Sequence, residues 1–252
     1  MSVPAADPAL IALAAIFGLV LGSFSTCVAH RFLAEKSILT PVRSFCPSCG
    51  RTLTWSENIP VLSYVLQRGR CRGCGAAIGA RYLLLELACG LWFGLLAWRF
   101  GLSWALPVYG AFGWMCITAG AIDLEIFILP DILTLPAAVL AYPAAVFLLG
   151  RGWQEALIGA LIGAGFLWAL RFVHMRLRKV EGLGLGDVKL MFSIGALCGP
   201  LALPLVFVLA GVTALAASIA FLRRPDADGL RTAIPFGPFL GLGAMIMLVW
   251  NG

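Results

Sequence analysis

Two sets of residues in this 252-residue chain have the types and spacing that chemistry requires. The first lies in Glu181 to Leu190, where Gly182, Gly184 and Gly186 stand at every second position ahead of Asp187 and Lys189. Glycine has no Cβ, so another chain can come close to its backbone. An apolar segment begins directly afterwards, which puts Asp187 at the edge of a membrane segment, where a carboxylate is costly and marks a functional site. The same stretch taken alone also fits a glycine-rich loop with an acidic helix cap. A second carboxylate, Asp123, ends an earlier apolar run at Ala121 to Glu125. Two carboxylates in a low-dielectric site do not both ionise easily. One keeps a proton, and the pair can act as general base and general acid on a water. That chemistry suits amide hydrolysis at the end of a membrane helix. Asp123 and Asp187 are the expected catalytic pair. Glu125 reads as an interfacial charge, and Asp131, in Leu129-Pro130-Asp131, reads equally as a helix cap or a member of the site.

The second set is thiol. Cys46-Pro-Ser-Cys49-Gly and Cys71-Arg-Gly-Cys74-Gly are two CxxC knuckles. Each can place two thiolates on one cation, with the trailing glycine permitting the turn. Four thiolates complete a tetrahedral zinc site with no open position, which makes the expected zinc structural. Two disulfides are the competing arrangement, disfavoured on a cytoplasmic face where thiols stay reduced. Cys27, Cys89, Cys116 and Cys198 lie in apolar segments and read as small buried hydrophobes.

The elements that position these residues are membrane helices. The chain is 61% hydrophobic and 12% charged, with mean hydropathy +0.97, against about 25% charged for soluble domains. Apolar runs predict about eight spans: Leu10–Ala29, Tyr82–Trp98, Trp104–Ile122, Leu129–Leu149, Ala156–Val173, Val188–Cys198, Leu201–Leu222 and Ile234–Trp250. Val188–Cys198 is short and is expected either to be a half-span or to begin inside the glycine stretch. The expected fold is therefore an all-α polytopic membrane protein with a small zinc-binding cytoplasmic domain between the first two spans. Its parts are the first helix over 1–29, the tetracysteine domain over 30–81 and a seven-helix membrane domain over 82–252.

The net charge of +6 matters for where it lies. Arg31, Lys36, Arg43, Arg51, Arg68, Arg70, Arg72 and Arg81 face only Glu35 and Glu57 in the polar interval His30 to Arg81. That excess puts the interval in the cytoplasm and the N-terminus outside. The loops with His174, Arg176, Arg178 and Lys179, and with Arg223, Arg224 and Arg231, then fall inside, and Asp123 and Asp187 reach the same face. The clusters are a topology signal and predict no nucleic-acid partner. Met1 to Pro8 has no basic residue, so no cleavable signal peptide is expected. Between the knuckles, Trp55 and Ile59 read as packing residues, while Glu57 and Asn58 read as caps or substrate contacts. His30 and His174 read as interfacial, without a Ser or Cys partner at hydrolase spacing.

Further motifs run along nearly the whole chain. They are Gly22-Ser23-Phe24, the two knuckles, Trp55 with Glu57-Asn58-Ile59-Pro60, Arg68-Gly69, and Tyr82 with Glu86. Asp123 with Leu129-Pro130-Asp131 follows, then Gly184, Gly186, Asp187 and Lys189, and finally Pro235-Phe236-Gly237-Pro238-Phe239. In this order they resemble the type IV prepilin peptidases, aspartic proteases of the bacterial inner membrane. The resemblance implies an enzyme that cleaves the short basic leader from prepilins and pseudopilins, after a glycine and before a residue that is usually Phe. It also implies methylation of the new N-terminus with S-adenosylmethionine. The family's catalytic aspartates fall on Asp123 and Asp187. Thr26 departs from the Asn often found after Gly-Ser-Phe. No GxGxxG follows a strand, so no residue is assigned to the methyl donor. Gly184 and Gly186 are expected to let an extended leader segment approach, and Lys189 to meet substrate charge, snorkel or pack. The membrane lipid is the other expected partner.

A transporter with proton- or cation-carrying aspartates is the reading from another class. It predicts carboxylates near the bilayer midplane and related halves, whereas Asp123 and Asp187 fall at one edge and no repeat is evident. A zinc-containing scaffold leaves both aspartates and the glycine stretch without a purpose.

Overall fold

The computed structural model of the chain describes residues 7–35, 37, 44–178, 184–222 and 234–251. Lys36, Arg43, Lys179, Glu181, Gly182 and the basic Arg223–Ala233 loop lie outside the described residues. The described chain is helical apart from two isolated bridges. The helices are α1 (Pro8–Leu33), α2 (Leu62–Leu66), α3 (Ala80–Phe100), α4 (Ala105–Ile126), α5 (Asp131–Pro143), α6 (Trp153–Arg178), α7 (Leu185–Cys198), α8 (Leu203–Leu222) and α9 (Gly237–Asn251). A π-helical turn at Ala144–Leu148 continues α5.

Each expected span has a helix, and 6 of these are long and apolar enough to cross a membrane. The exceptions are α7, with 14 residues, and α9, with 15. As expected for the shortest run, α7 begins inside the glycine stretch, with Gly184 as its N-cap. It stops at Gly199, whose φ of 79° breaks the helix ahead of Pro200. Exposed apolar side chains recur at helical spacing on α1 (Leu13, Ile16, Phe17, Val20, Phe24) and α6 (Leu161, Ile162, Phe166, Leu170). Faces this continuous are unstable in water and suit hydrocarbon. The chain is a multi-pass membrane protein.

The chain divides into two compact units, Met1–Leu106 and Pro107–Gly252. In the first, α1 lies along α3. Small residues set the spacing: a Cβ at Gly22 would lie 2.6 Å from Glu86 Cα. Between these helices the two knuckles form matching turns. Cys46 N–H donates to Arg51 O and Gly50 N–H to Cys46 O, while Cys71 N–H donates to Ala76 O and Gly75 N–H to Cys71 O. Gly50 and Gly75 share a φ of +71°.

In the second unit α7 is central, packed by α5, α6, α8 and α9 and buried from Leu190 almost continuously to Cys198. Its contact with α6 is backbone on backbone, because a Cβ at Gly195 would run into the Gly159 carbonyl. Gly120 and Cys116 on α4 meet Pro238 and Gly241 on α9. α4 runs on to Ile126, past the expected end at Ile122, so Asp123 lies within the helix.

Candidate active site

Asp123 sits one turn before the end of α4 and is 4% exposed; Asp187, in the first turn of α7, is 8% exposed. The sharp turn after α4 explains how these helix ends meet. Phe127 N–H donates to Asp123 O at 2.9 Å, and Phe127 itself has φ +59°. A bulky residue with that φ is strained, and such strain is held only where the surroundings impose it. The turn sends Leu129 and Pro130 inward, both buried.

Leu129 is the wedge of the site. A Cβ at Gly186 would stand 2.7 Å from Leu129 Cβ, and one at Gly237 would stand 2.7 Å from Leu129 Cδ1 and 3.0 Å from Asp123 Oδ2. Two glycines on different helices therefore close on one leucine, with the Asp123 carboxylate at the same point. Asp123 accepts from the Gly237 N–H at the start of α9. Asp187 folds back to accept from the Gly184 N–H, as an acid in the first turn of a helix favours. The two carboxylates lie close enough for the charge of Asp123 to act on Asp187. Asp187 Oδ1 is buried with no hydrogen-bond partner, which leaves it available to a water or a substrate group.

The remaining expected residues take different places. Gly186 is filled by Leu129, whereas a Cβ at Gly184 would meet Asp187 Oδ2 at 3.4 Å and Gly186 N at 3.8 Å, both ordinary contacts. Lys189 Nζ donates to Asp131 Oδ1 at 2.6 Å, and this pair is exposed. Asp131 is the first residue of α5, which Pro130 caps. It is thus neither a cap nor part of the buried pair. Glu125 is exposed. Gly237 and Leu129 were not expected as site residues; a motif Gly-Pro marks a turn but not the side chain that packs on it.

The cysteines converge. The sulfurs of Cys46, Cys49, Cys71 and Cys74 all lie within 4.8 Å of one another, and Cys46 Sγ is 3.9 Å from Cys74 Sγ. Tetrahedral zinc with Zn–S of about 2.3 Å puts its sulfurs about 3.8 Å apart, so the geometry fits that ion. Backbone amides favour the thiolate. The Cys74 and then the Gly73 N–H pull Cys71 down to about 6, and the Cys49 N–H lowers Cys46. Arg51 reaches from the first knuckle over Gly73 in the second. Glu57 anchors it, accepting from Arg51 Nη2 at 2.5 Å and from Thr54 N and Oγ1 at 2.9 Å. The Thr54 N–H, then Arg51, hold Glu57 at about 2. Glu57 is thus a cap. Trp55, expected to pack, is exposed, because the short turn Trp55–Glu57 gives its buried position to Glu57.

Residues 16–100 match the bacterial peptidase A24 N-terminal domain, and residues 110–219 match the type IV leader peptidase family. Three similar proteins are each named prepilin leader peptidase/N-methyltransferase. The protein of Stutzerimonas stutzeri is 34% identical over 96% of this chain and 91% of its own. That of Pseudomonas aeruginosa is 34% identical over 94% and 89%, and that of Burkholderia pseudomallei 39% over 96% and 85%. No solved structure matches. With both domain matches in order, and relatives of this identity aligned over nearly their full length, the chain belongs to the type IV leader peptidase family.

Proposed function

We propose that this protein cleaves the leader of type IV prepilins and pseudopilins at the cytoplasmic face of the bacterial inner membrane, and then methylates the new N-terminus. The observation that supports the cleavage is that Asp123 and Asp187 are both buried and near enough for the charge of one to act on the other, with Asp187 Oδ1 unpartnered. Two carboxylates so placed hold one proton between them. The ionised one takes a proton from water as its oxygen adds to the scissile carbonyl carbon. The protonated one donates to the carbonyl oxygen. Collapse then breaks the C–N bond as the leaving nitrogen takes a proton from the dyad. Gly184 is the open side of the site, where an extended leader can lie against backbone. Gly186 keeps Leu129 seated beside the pair, and Lys189 meets substrate charge when it leaves Asp131.

Zinc held by Cys46, Cys49, Cys71 and Cys74 orders the 30–81 domain, which has little core of its own. The family names support the second activity, for which S-adenosylmethionine supplies an electrophilic methyl group. The membrane region beyond residue 82 carries the peptidase residues. A transporter has no observation in its favour.

The test is processing of a prepilin by purified variants. Asp123→Asn and Asp187→Asn each keep shape and lower the cleavage rate by about a hundredfold or more, with melting little changed. Asp131→Asn and Glu125→Gln, both exposed, keep substantial activity. Near wild-type cleavage by Asp123→Asn, with loss in Asp131→Asn, assigns the partner of Asp187 to the wrong carboxylate.

A further inference from the structure

The aspartate pair accounts for hydrolysis and leaves methylation without a binding site. A separate cavity of about 450 Å³ lies within the first unit, bounded by α1, α3 and the knuckles. That volume falls in the range of small-molecule sites, about 300–1,000 Å³. All of its lining lies between Ser23 and Glu86, inside the 16–100 match and outside the 110–219 peptidase match.

We propose that this cavity binds S-adenosylmethionine, with the Glu86 carboxylate meeting the positive charge of the donor. The inference rests on the methyltransferase reading above. Its chemistry comes from the walls. Tyr64 and Tyr82 line it with rings of the kind that take an adenine or a sulfonium cation, the Tyr82 ring already carrying the Arg81 guanidinium 5.3 Å from its centroid; Ser23 and Asn58 supply polar groups. Glu86 is the distinctive wall. It is 9% exposed and accepts from Val61 N–H at 2.7 Å and from the Ser23 hydroxyl. A carboxylate has about four lone-pair sites, so acceptor capacity remains, and neither of these donors is a cation. The other acid lining the cavity, Glu57, is neutralised by Arg51. Arg31 and Arg81 also line the cavity, but neither pairs with Glu86 among the described ion pairs, and a buried carboxyl is costly to ionise unless something brings it the opposite charge. The sulfonium and ammonium of the donor do so.

The backbone around Glu86 is built for this placement. Val61 has φ +61°, an outlier for a β-branched residue. That conformation follows Asn58-Ile59-Pro60 and aims the Val61 N–H at Glu86. Strain of this sort persists where the surrounding structure fixes it, and it collects at ligand sites. Only a glycine lets α1 approach here, since Gly22 packs on Glu86 itself. Ser23, its neighbour, is thereby brought to the carboxylate.

Cys27, half-buried on the wall of the cavity, reports occupancy. Zinc-loaded full-length protein in detergent is titrated with S-adenosylmethionine by calorimetry. In parallel it is exposed to a small maleimide, and Cys27 modification is read by mass spectrometry. The expected result is that S-adenosylmethionine slows Cys27 modification over the concentration range in which it binds. Glu86→Gln, with zinc content and melting retained, weakens binding by about tenfold or more. Binding to wild type with no change at Cys27 overturns the site, as does protection of Cys27 by a prepilin peptide but not by the donor. A folded Glu86→Gln that binds as tightly as wild type overturns the role of Glu86. Should Glu86→Gln lose zinc, the Cys27 result on wild type decides alone. Wild-type protein that cleaves a prepilin but binds no donor refutes the methyltransferase reading itself, an outcome distinct from binding elsewhere.

Discussion

Gly237 shows how much of this site depends on atoms that are missing. A methyl group there meets Leu129 at 2.7 Å and the Asp123 carboxylate at 3.0 Å. Leu129 can swing away, but it does so into the space beside Gly186. We expect Gly237→Ala to cost about 1–3 kcal/mol of stability and to slow cleavage well beyond that loss, because it displaces a carboxylate from its N–H donor. Gly211→Ala on α8, where a Cβ meets nothing within 4 Å, serves as the comparison. Thermal melting and initial rates of both variants check this. Equal rates in the two show that Leu129 does not position Asp123. The aspartates themselves were legible in the sequence because a carboxylate at the edge of an apolar run is expensive. Leu129 and Gly237 were not, because an aliphatic wedge and its glycine seat carry no charge signal. Glu57 was half legible: its partners are near in sequence, but only the folded turn shows that Thr54 and Arg51 fill its oxygens.

At the scale of elements, the position of Asp187 is set two turns away. The crossing of α6 and α7 is closest at Gly159 and Gly195, and Asp187 lies eight residues before Gly195 on the same helix, about 12 Å along its axis. A large side chain at the crossing pushes α7 off α6 and carries Asp187 with it. Gly195→Leu is therefore expected to lower cleavage strongly although it touches no reacting atom, and to lower the melting temperature. Retained activity at a reduced melting temperature means that α7 bends between the crossing and the site. By contrast Lys189 and Asp131 join α7 to the start of α5 through an exposed pair, and such pairs contribute about 0–1 kcal/mol. Helix existence was readable from hydropathy, but helix ends were not. Hydropathy follows the apolar run, whereas a helix continues until its backbone is capped. That is why α4 extends beyond Ile122 and α6 reaches Arg178 with His174 and Arg176 still helical.

For the whole molecule, the two compact units separate the thiol cluster from the aspartate pair along the chain. On the zinc reading proposed above, the ion is a folding requirement of the first unit. Cys49→Ser should reduce zinc below half an equivalent and open residues 44–79 to proteolysis, while α4 to α9 stay resistant. Metal analysis and limited digestion measure both. Equal resistance of 44–79 with and without zinc removes the structural role of the ion. The tetracysteine spacing made this unit legible, since four thiolates and a cation leave few alternatives.

The 14 residues of α7 have a further consequence. A helix of that length spans about 21 Å, and the hydrocarbon slab is about 30 Å thick. Because α7 is enclosed by α5, α6, α8 and α9, the shortfall opens inside the bundle and not onto lipid, and water must descend through it to reach the helix end at Asp187, the further the thicker the slab. A protease that cuts at the rim of a bilayer needs just that supply of water. Its turnover in proteoliposomes should therefore fall as acyl chains lengthen at constant headgroup, with the zinc content unchanged. A rate indifferent to chain length leaves the wetting of the dyad to the protein alone.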